Sequence, residues 1–255
     1  RPATFETALL NIENPQAGID VLEVVRRKSG NKVTSFELLP TLGIDLQLKH
    51  NLLDRDPRAS VSPWHVLVEY SLFDDEESGA LMSTLEALFE AELISDASLC
   101  NSIGDRKAMW QMRENFAECQ TREAEGIKHD ISVAVRDIPE LIERGDEMAE
   151  RVIPGIRSFA FGHAGDGNIH YDFLAPVDMP KGELRSHAAA LHEGMYEIVE
   201  DLNGSISAEH GIGQMKADLL QQKKDPVALE MMYAVKQSLD PNGILNPGKV
   251  LKRRN

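Results

Sequence analysis

Cysteine and aromatic residues are scarce in this chain of 255 residues. Two cysteines, Cys100 and Cys119, are too few for a disulfide-stapled scaffold, and we interpret them as free thiols of a reducing compartment. Aromatic residues make up only 5% of the chain, yet 42% of its residues are hydrophobic and 27% are charged. This balance excludes a disordered or collagen-like chain and predicts a globular protein with a hydrophobic core.

The sequence also lacks long apolar runs and an excess of basic charge. No segment approaches the roughly 18 consecutive apolar residues of a membrane span, and the first ten residues lack the basic and apolar regions of a signal peptide. We therefore expect no membrane span and a cytoplasmic location. The chain has 27 basic and 42 acidic residues, a formal charge of −15, which argues against a nucleic-acid partner.

The apolar pattern predicts an α+β fold with two similar lobes, in which helices cover antiparallel sheets. Alternation of apolar residues predicts strands over 32–39, 64–70, 131–135, 159–161, 169–174 and 205–208. Helical spacing predicts helices over 81–93, 109–122, 138–151, 183–202 and 227–238. The helix over 109–122 would cross between the lobes. Gly204 would be a left-handed helix C-cap, and a Pro/Gly turn after Asp240 would stop the last helix.

The most informative stretch is GHAGDGNIH, residues 162–170. Its three glycines let the backbone approach other groups closely, and His163 and His170 bracket the loop. Such a loop can present both imidazoles to one point, as a metal site requires. An ordinary hairpin and a phosphate-binding loop are the alternatives that the residues alone leave open.

A second stretch, SAEHGIG at 207–213, places Glu209 and His210 beside two glycines. With His163 and His170, Glu209 would complete a three-ligand metal set that leaves a position for substrate, and His210 would be available as a base. In an extended segment neighbouring side chains point to opposite faces, which would separate these two roles. A solvated surface pair is the simpler interpretation of Glu209 and His210 on their own.

A third group of residues could bind carboxylates. Arg113 in WQMRE offers a planar fork of donors, and Lys128 in KHDISV adds a compact positive charge. Spacing alone favours the alternative that Arg113 is a solvated helix charge paired with Glu114 or Glu118.

Five segments together resemble a known family: GHAGDGNIH, SAEHGIG, WQMRE, KHDISV and the end SLDPNGILNPGKVL, over residues 238–251. In their residues and in their order along the chain, they resemble the C-terminal, substrate-binding part of the FAD-linked D-2-hydroxyacid dehydrogenases. That group of the vanillyl-alcohol oxidase superfamily contains D-lactate, glycolate and D-2-hydroxyglutarate dehydrogenases. The resemblance implies a cap domain of duplicated ferredoxin-like lobes over 1–215. A helical tail over 216–255 would pack on a flavin domain.

The resemblance also implies roles for individual residues. His163, His170 and Glu209 would hold a divalent metal, usually zinc, and His210 would accept the substrate proton. Arg113 and Lys128 would bind substrate carboxylates, and Asn168 and Asn246 would contact the cofactor. Relatives carry an asparagine where this chain has Asp172 and a hydroxyl residue where it has Ala117, so these motifs do not fix the substrate.

The implied reaction is oxidation of a small D-2-hydroxy acid to its 2-oxo acid, with FAD as hydride acceptor. No glycine-rich pyrophosphate loop occurs in the sequence, so we expect an N-terminal FAD-binding domain outside it to hold the flavin. The arginine start favours a fragment over a separate flavin subunit, and the chain alone should be colourless and inactive. The electron acceptor and a homodimer remain open. The alternative function is a non-catalytic module that binds a metal or a carboxylate.

Overall fold

The computed structural model describes residues 4–30, 32–73 and 79–253. They form two compact units, Arg1–Ala208 and Glu209–Asn255. The first unit contains two antiparallel sheets with helices, so the predicted α+β class is confirmed. No helix in the described ranges combines the length and apolar character needed to cross a bilayer.

The first lobe has a ferredoxin-like order of strands and helices. Its elements are β1 (Thr4–Ile12), α1 (Pro15–Ser29), β2 (Val33–Pro40), α2 (Thr41–Lys49), β3 (Trp64–Leu72), α3 (Ala80–Glu90) and β4 (Asp96–Leu99). The strands pair antiparallel in the order β2-β3-β1-β4. Helix α1 begins where the Asn14 side chain accepts from the Ala17 amide, and it ends at Gly30 with a φ of 58°.

Two helices connect the lobes, where the sequence predicted one. Helix α4 (Ile103–Glu114) and helix α5 (Phe116–Glu123) meet at Asn115. Ser102 caps α4 by accepting from the Asp105 amide. The break lets Phe116 turn into the core, where its ring contacts those of Phe159 and Phe161.

The second lobe repeats this order but lacks both the fourth strand and a helix between its second and third strands. It contains β5 (Gly126–Ser132), α6 (Ile138–Val152), β6 (Arg157–Phe161), β7 (Asn168–Leu174) and α7 (Ala188–Asp201). Its sheet has the order β5-β7-β6, with antiparallel pairing. The duplication implied by the sequence is therefore incomplete in the described residues.

Two predicted strands were wrong in this lobe. The strand predicted over 131–135 ends at Ser132, because the Val133 amide donates to Gly167 O and a 3-10 turn follows at Val135–Asp137. The strand predicted over 205–208 is reduced to one bridge between Ser205 and Ser132. Ser207 and Ala208 then donate hydrogen bonds to the Asp130 side chain instead of extending the strand.

Gly204 is not the predicted left-handed cap. Asn203 takes the positive φ, 54°, after α7 ends. Gly204 is needed for space, since a Cβ there would lie 2.3 Å from the backbone oxygen of Ser132.

A shared core joins the two lobes of the first unit. It combines residues from β1, β2 and β3 with residues from the connecting helices and from β6, including Leu9, Leu39, Leu67, Met112, Phe116, Phe159 and Phe161. Cys119 lies in this core as a free thiol, and burial raises its pKa to about 12. Cys100 is also a free thiol, as the sequence predicted.

The second unit contains α8 (Ala217–Lys223) and α9 (Pro226–Leu239). The predicted turn stops α9, and the Asp240 carboxylate accepts from the amides of Ile244 and Leu245. One face of α9 carries an exposed apolar stripe with helical spacing: Val227, Met231, Val235 and Leu239.

Candidate functional site

The glycine loop between β6 and β7 is attached to the first lobe. The amide of Leu38 donates to Gly162 O at 2.9 Å, and the amide of Gly162 donates back to Leu38 O at 3.1 Å. Gly162 and Gly167 have φ values of 146° and 84°, and a Cβ on Gly167 would lie 2.1 Å from Val133 O. Only glycine fits these positions, and the loop thereby carries His163 to strand β2.

Glu37 on β2 contacts two of the predicted site residues, Arg113 and His163. Its side chain is 2% exposed. One carboxylate oxygen lies 2.5 Å from His163 Nδ1, and the other accepts from Arg113 Nε at 2.6 Å. Burial raises the pKa of Glu37, but the hydrogen bond from His163 and the charge of Arg113 outweigh it and hold the pKa below its usual value. Glu37 is therefore a buried carboxylate.

Arg113 lies inside the site and not on a solvated helix face. Its guanidinium carbon is 5.0 Å from the centre of the Phe161 ring, and its side chain is 13% exposed. The alternative of pairing with Glu114 or Glu118 is wrong, since its carboxylate partner is Glu37. The Nε donor is occupied, and the other edge of the guanidinium keeps the geometry that binds a carboxylate.

His163 and His170 lie close together. Their ring centres are 6.1 Å apart, with the planes at 70°. His170 on β7 packs against the Phe161 ring at 5.0 Å and lies opposite Asp130 of β5. Two imidazoles bound to one tetrahedral zinc have ring centres roughly 5 Å apart, so the two rings would have to approach each other by about 1 Å to share a metal ion.

Asp130 is a second residue that the motifs did not single out. Its carboxylate is buried and accepts from Ser207 Oγ at 3.1 Å and from the Ala208 amide at 3.0 Å. Alternation along β5 puts Asp130 on the same face as Lys128, next to His170. Since KHDISV was considered for Lys128 alone, this alternation was the signal that could have found Asp130.

Lys128 is exposed on that face and lies opposite Asp172 in the register of β5 and β7. It lines a cleft of about 880 Å³ whose described lining contains six basic and two acidic side chains. In the ranges that the structure describes, Lys128 has no ion-pair partner. Asp172 is buried and accepts from the His129 amide at 3.2 Å.

The remaining predicted residues are placed as follows. Asn168 is buried at the start of β7, and its side-chain oxygen has no hydrogen-bond partner among the described atoms. In the second unit, Asn246 is exposed in a turn with a φ of 47°. Glu209 and His210 are exposed, with Oε1 and Nε2 3.9 Å apart. The expectation that they point to opposite faces is wrong, because this segment is bent and not extended.

A family model for the C-terminal domain of FAD linked oxidases matches residues 1–250. The chain belongs to this family. The resemblance read from the five motifs is thus confirmed, and it extends over nearly the whole chain.

Two relatives of this chain have the same name. D-2-hydroxyglutarate dehydrogenase of Stutzerimonas stutzeri (strain A1501) is 35% identical over 188 residues, which cover 74% of this chain and 40% of the relative. Mitochondrial D-2-hydroxyglutarate dehydrogenase of Danio rerio is 30% identical over 258 residues, covering 98% of this chain and 46% of the relative. The chain therefore spans less than half the length of these relatives. A cytoplasmic location stays a prediction.

A solved structure shares the fold. P-cresol methylhydroxylase with substrate bound superposes with a TM-score of 0.69 at 13% identity, covering 99% of this chain and 54% of that chain. At this identity the likeness concerns the fold alone.

Proposed function

We propose that this chain is the substrate-binding part of an FAD-dependent dehydrogenase that oxidises a D-2-hydroxy acid to the 2-oxo acid. The observation that carries the proposal is the meeting at Glu37 of Arg113, which can bind a carboxylate, and His163, which can bind a metal. A 2-hydroxy acid needs both functions within one small molecule, at adjacent carbon atoms.

The donor set fits a divalent metal, for which zinc is the first choice. His163, His170 and Glu209 would hold it, and when bound it supplies Lewis-acid stabilisation of the substrate oxygens. Glu37 supports this assignment because it engages Nδ1 of His163, so that Nε2 is the nitrogen that would bind the metal. Metal-binding histidines ordinarily have such a second partner.

The protein's own groups bind and orient the substrate. Arg113 would hold the carboxylate next to the hydroxyl carbon, and His210 would take the hydroxyl proton on an imidazole nitrogen. Bound FAD would supply the acceptor for the hydride that leaves the same carbon. Positioning of the substrate between these groups is the contribution of this chain.

We further propose that the substrate is a dicarboxylate of the 2-hydroxyglutarate type. Lys128 lies on the same sheet face as His170. It is two residues along β5 from Asp130, the residue opposite His170, and this separation is roughly 7 Å. Its basic cleft would favour a second carboxylate in a chain that carries −15 overall. The names of the two relatives support this choice. Asp172 and Ala117 mark where this substrate pocket would differ from that of relatives.

The flavin would be held mainly by an N-terminal FAD-binding domain. Asn168 supports a cofactor contact, since its buried oxygen has no described hydrogen-bond partner and such an atom favours a ligand or water. The exposed stripe of α9 supports packing of the tail, including Asn246, on another domain.

The test uses the flavin-loaded protein, which is this chain together with its FAD-binding domain. It measures anaerobic reduction of the flavin by a panel of 2-hydroxy acids. We expect D-2-hydroxyglutarate to bleach the flavin absorbance faster than D-lactate or glycolate, and the L-enantiomers to be inert. If no member of the panel reduces the flavin while zinc and dicarboxylates still bind, the alternative of a non-catalytic binding module is correct. Equal rates for D-2-hydroxyglutarate and D-lactate would refute the role of Lys128.

A further inference from the structure

A single buried carboxylate connects three separate segments of the chain at the candidate site. Glu37 belongs to β2, Arg113 to α4 and His163 to the loop before β7, and the last two lie 76 and 126 residues from Glu37 in sequence. Each oxygen of Glu37 serves a different partner. Its position therefore sets the distance between the Arg113 guanidinium and the His163 imidazole.

We propose that Glu37 is a positioning residue that orients both the substrate-binding Arg113 and the metal-binding His163. This inference rests on the function proposed above. Glu37 would touch neither substrate nor metal and would act only through its two partners.

The hydrogen bond to His163 selects one tautomer of the imidazole. An ionised carboxylate can only accept, so Nδ1 of His163 carries the proton that it donates to Glu37. In the neutral imidazole the lone pair is then on Nε2, the nitrogen that would bind a metal. Without Glu37 the ring would lose both its preferred tautomer and its fixed rotation.

The ion pair with Arg113 fixes the plane of the guanidinium. Nε is bound to Glu37 at 2.6 Å, and the Phe161 ring packs against the guanidinium at 5.0 Å. These two contacts leave the outer Nη edge as the part that can form a two-point contact with a carboxylate. A rotated guanidinium would still be positively charged but would lose this geometry.

A second buried glutamate in the same lobe shows what a structural role looks like. Glu69 on β3 accepts from Thr7, from two nitrogens of Arg106 and from Trp110, at 2.6–2.8 Å. Arg106 lies on α4, seven residues before Arg113. Glu69 therefore forms the same type of strand-to-α4 ion pair, but its four donors include no predicted site residue.

The experiment compares Glu37→Gln with Glu69→Gln in the flavin-loaded protein. Zinc affinity is measured by competition with a chromophoric chelator, and KM and kcat are measured with D-2-hydroxyglutarate. We expect Glu37→Gln to weaken zinc binding by about 10- to 100-fold and to raise KM by about 10-fold. Glu69→Gln should lower the melting temperature but change zinc affinity by less than about twofold. Glu37→Asp should restore part of the zinc affinity.

Equal zinc affinity in folded Glu37→Gln and wild type would overturn the proposal, as would an equal loss in both glutamine variants. If Glu37→Gln does not fold, the role of Glu37 is tested by determining the tautomer of His163 in the metal-free wild type. Nitrogen-15 shifts should show the proton on Nδ1, and a proton on Nε2 would reject the proposed role. A wild type that binds zinc but oxidises no hydroxy acid would refute the proposed function and leave the metal result for Glu37 interpretable.

Discussion

The two lobes share a core order of strand, helix, two strands and helix, but polar residues on their central strands have different roles. Strand β3 of the first lobe carries His65 and Glu69, and strand β7 of the second carries His170 and Asp172. His65 and Glu69 are bonded within the first lobe and its connecting helix. His170 instead lies beside His163, at the proposed metal site.

The two lobes also differ at the position of the fourth strand. In the first lobe β4 pairs with β1 over four residues. The equivalent segment after Gly204 makes one bridge, and then Ser207 and Ala208 bind the Asp130 carboxylate. The candidate site thus includes a residue, His170, whose neighbour Asp130 binds the segment in which the second lobe departs from the repeated fold.

The broadest expected effect comes from replacing the histidine on β7, which should change metal content, substrate binding and turnover together. His170→Ala in the flavin-loaded protein should lose bound metal and lower kcat/KM by about 10³-fold, or about 4 kcal/mol, because a proposed metal ligand is removed. Elemental analysis and steady-state kinetics are the measurements. His65→Ala on β3 is the matched control and should lower thermal stability while leaving the metal content unchanged.

His210→Ala separates the proposed base from the proposed ligands. It should keep the metal and the substrate affinity while lowering kcat by about 10²- to 10⁴-fold, the range for loss of a general base. Loss of metal as complete as in His170→Ala would show that His210 is itself a ligand. The 3.9 Å approach of Glu209 and His210 makes this measurement decisive for their roles.

A smaller effect is expected at Glu69. Glu69→Ala removes the acceptor for Arg106, Trp110 and Thr7, and should lower the free energy of unfolding by about 3 kcal/mol. Chemical denaturation measures this loss. Metal binding by the folded fraction should be unchanged, and a parallel loss of metal would contradict the division of roles between the two lobes.

Local pattern was sufficient for β6, β7 and α6 of the second lobe, whereas the centre of the site depends on distant residues. Strands β6 and β7 were predicted because alternating residues flank an obvious glycine loop. Glu37 was missed because it is one acid in a short apolar run, and its burial is possible only through Arg113 and His163. The sequence of β2 contains no pattern that indicates contacts with residues 76 and 126 positions away.

The same limit explains the errors. The segment over 205–208 has strand-like residues, but the Asp130 carboxylate competes for the Ala208 amide that a ladder would use. Gly204 suggested a cap, and its actual requirement is the approach of Ser132 from another strand. Contacts of this kind depend on tertiary structure and leave no periodic signal in the sequence.

Acid should destabilise the first lobe through His65. Burial and the nearby Arg58 lower the pKa of His65 to about 4. The unfolded chain takes up this proton near pH 6.5, so stability is complete above that pH and falls as the pH drops from about 6.5 to 4. The loss should be roughly 2–3 kcal/mol, measured by denaturation at several pH values. In His65→Gln the free energy of unfolding should depend less on pH in this range. An unchanged pH dependence would show that other groups cause the loss.

The smallest expected effect concerns the segment that replaces the fourth strand. Asp130→Asn keeps one acceptor oxygen but loses the charge, so the hydrogen bonds from Ser207 and Ala208 should weaken by about 1 kcal/mol. Hydrogen exchange at the Ala208 amide should then accelerate by roughly fivefold. Amides of β4 are the internal control, because their backbone ladder with β1 is untouched. If the Ala208 amide kept its wild-type exchange rate, Asp130 would not be what holds this segment, and the contrast between a ladder in one lobe and a carboxylate anchor in the other would fail.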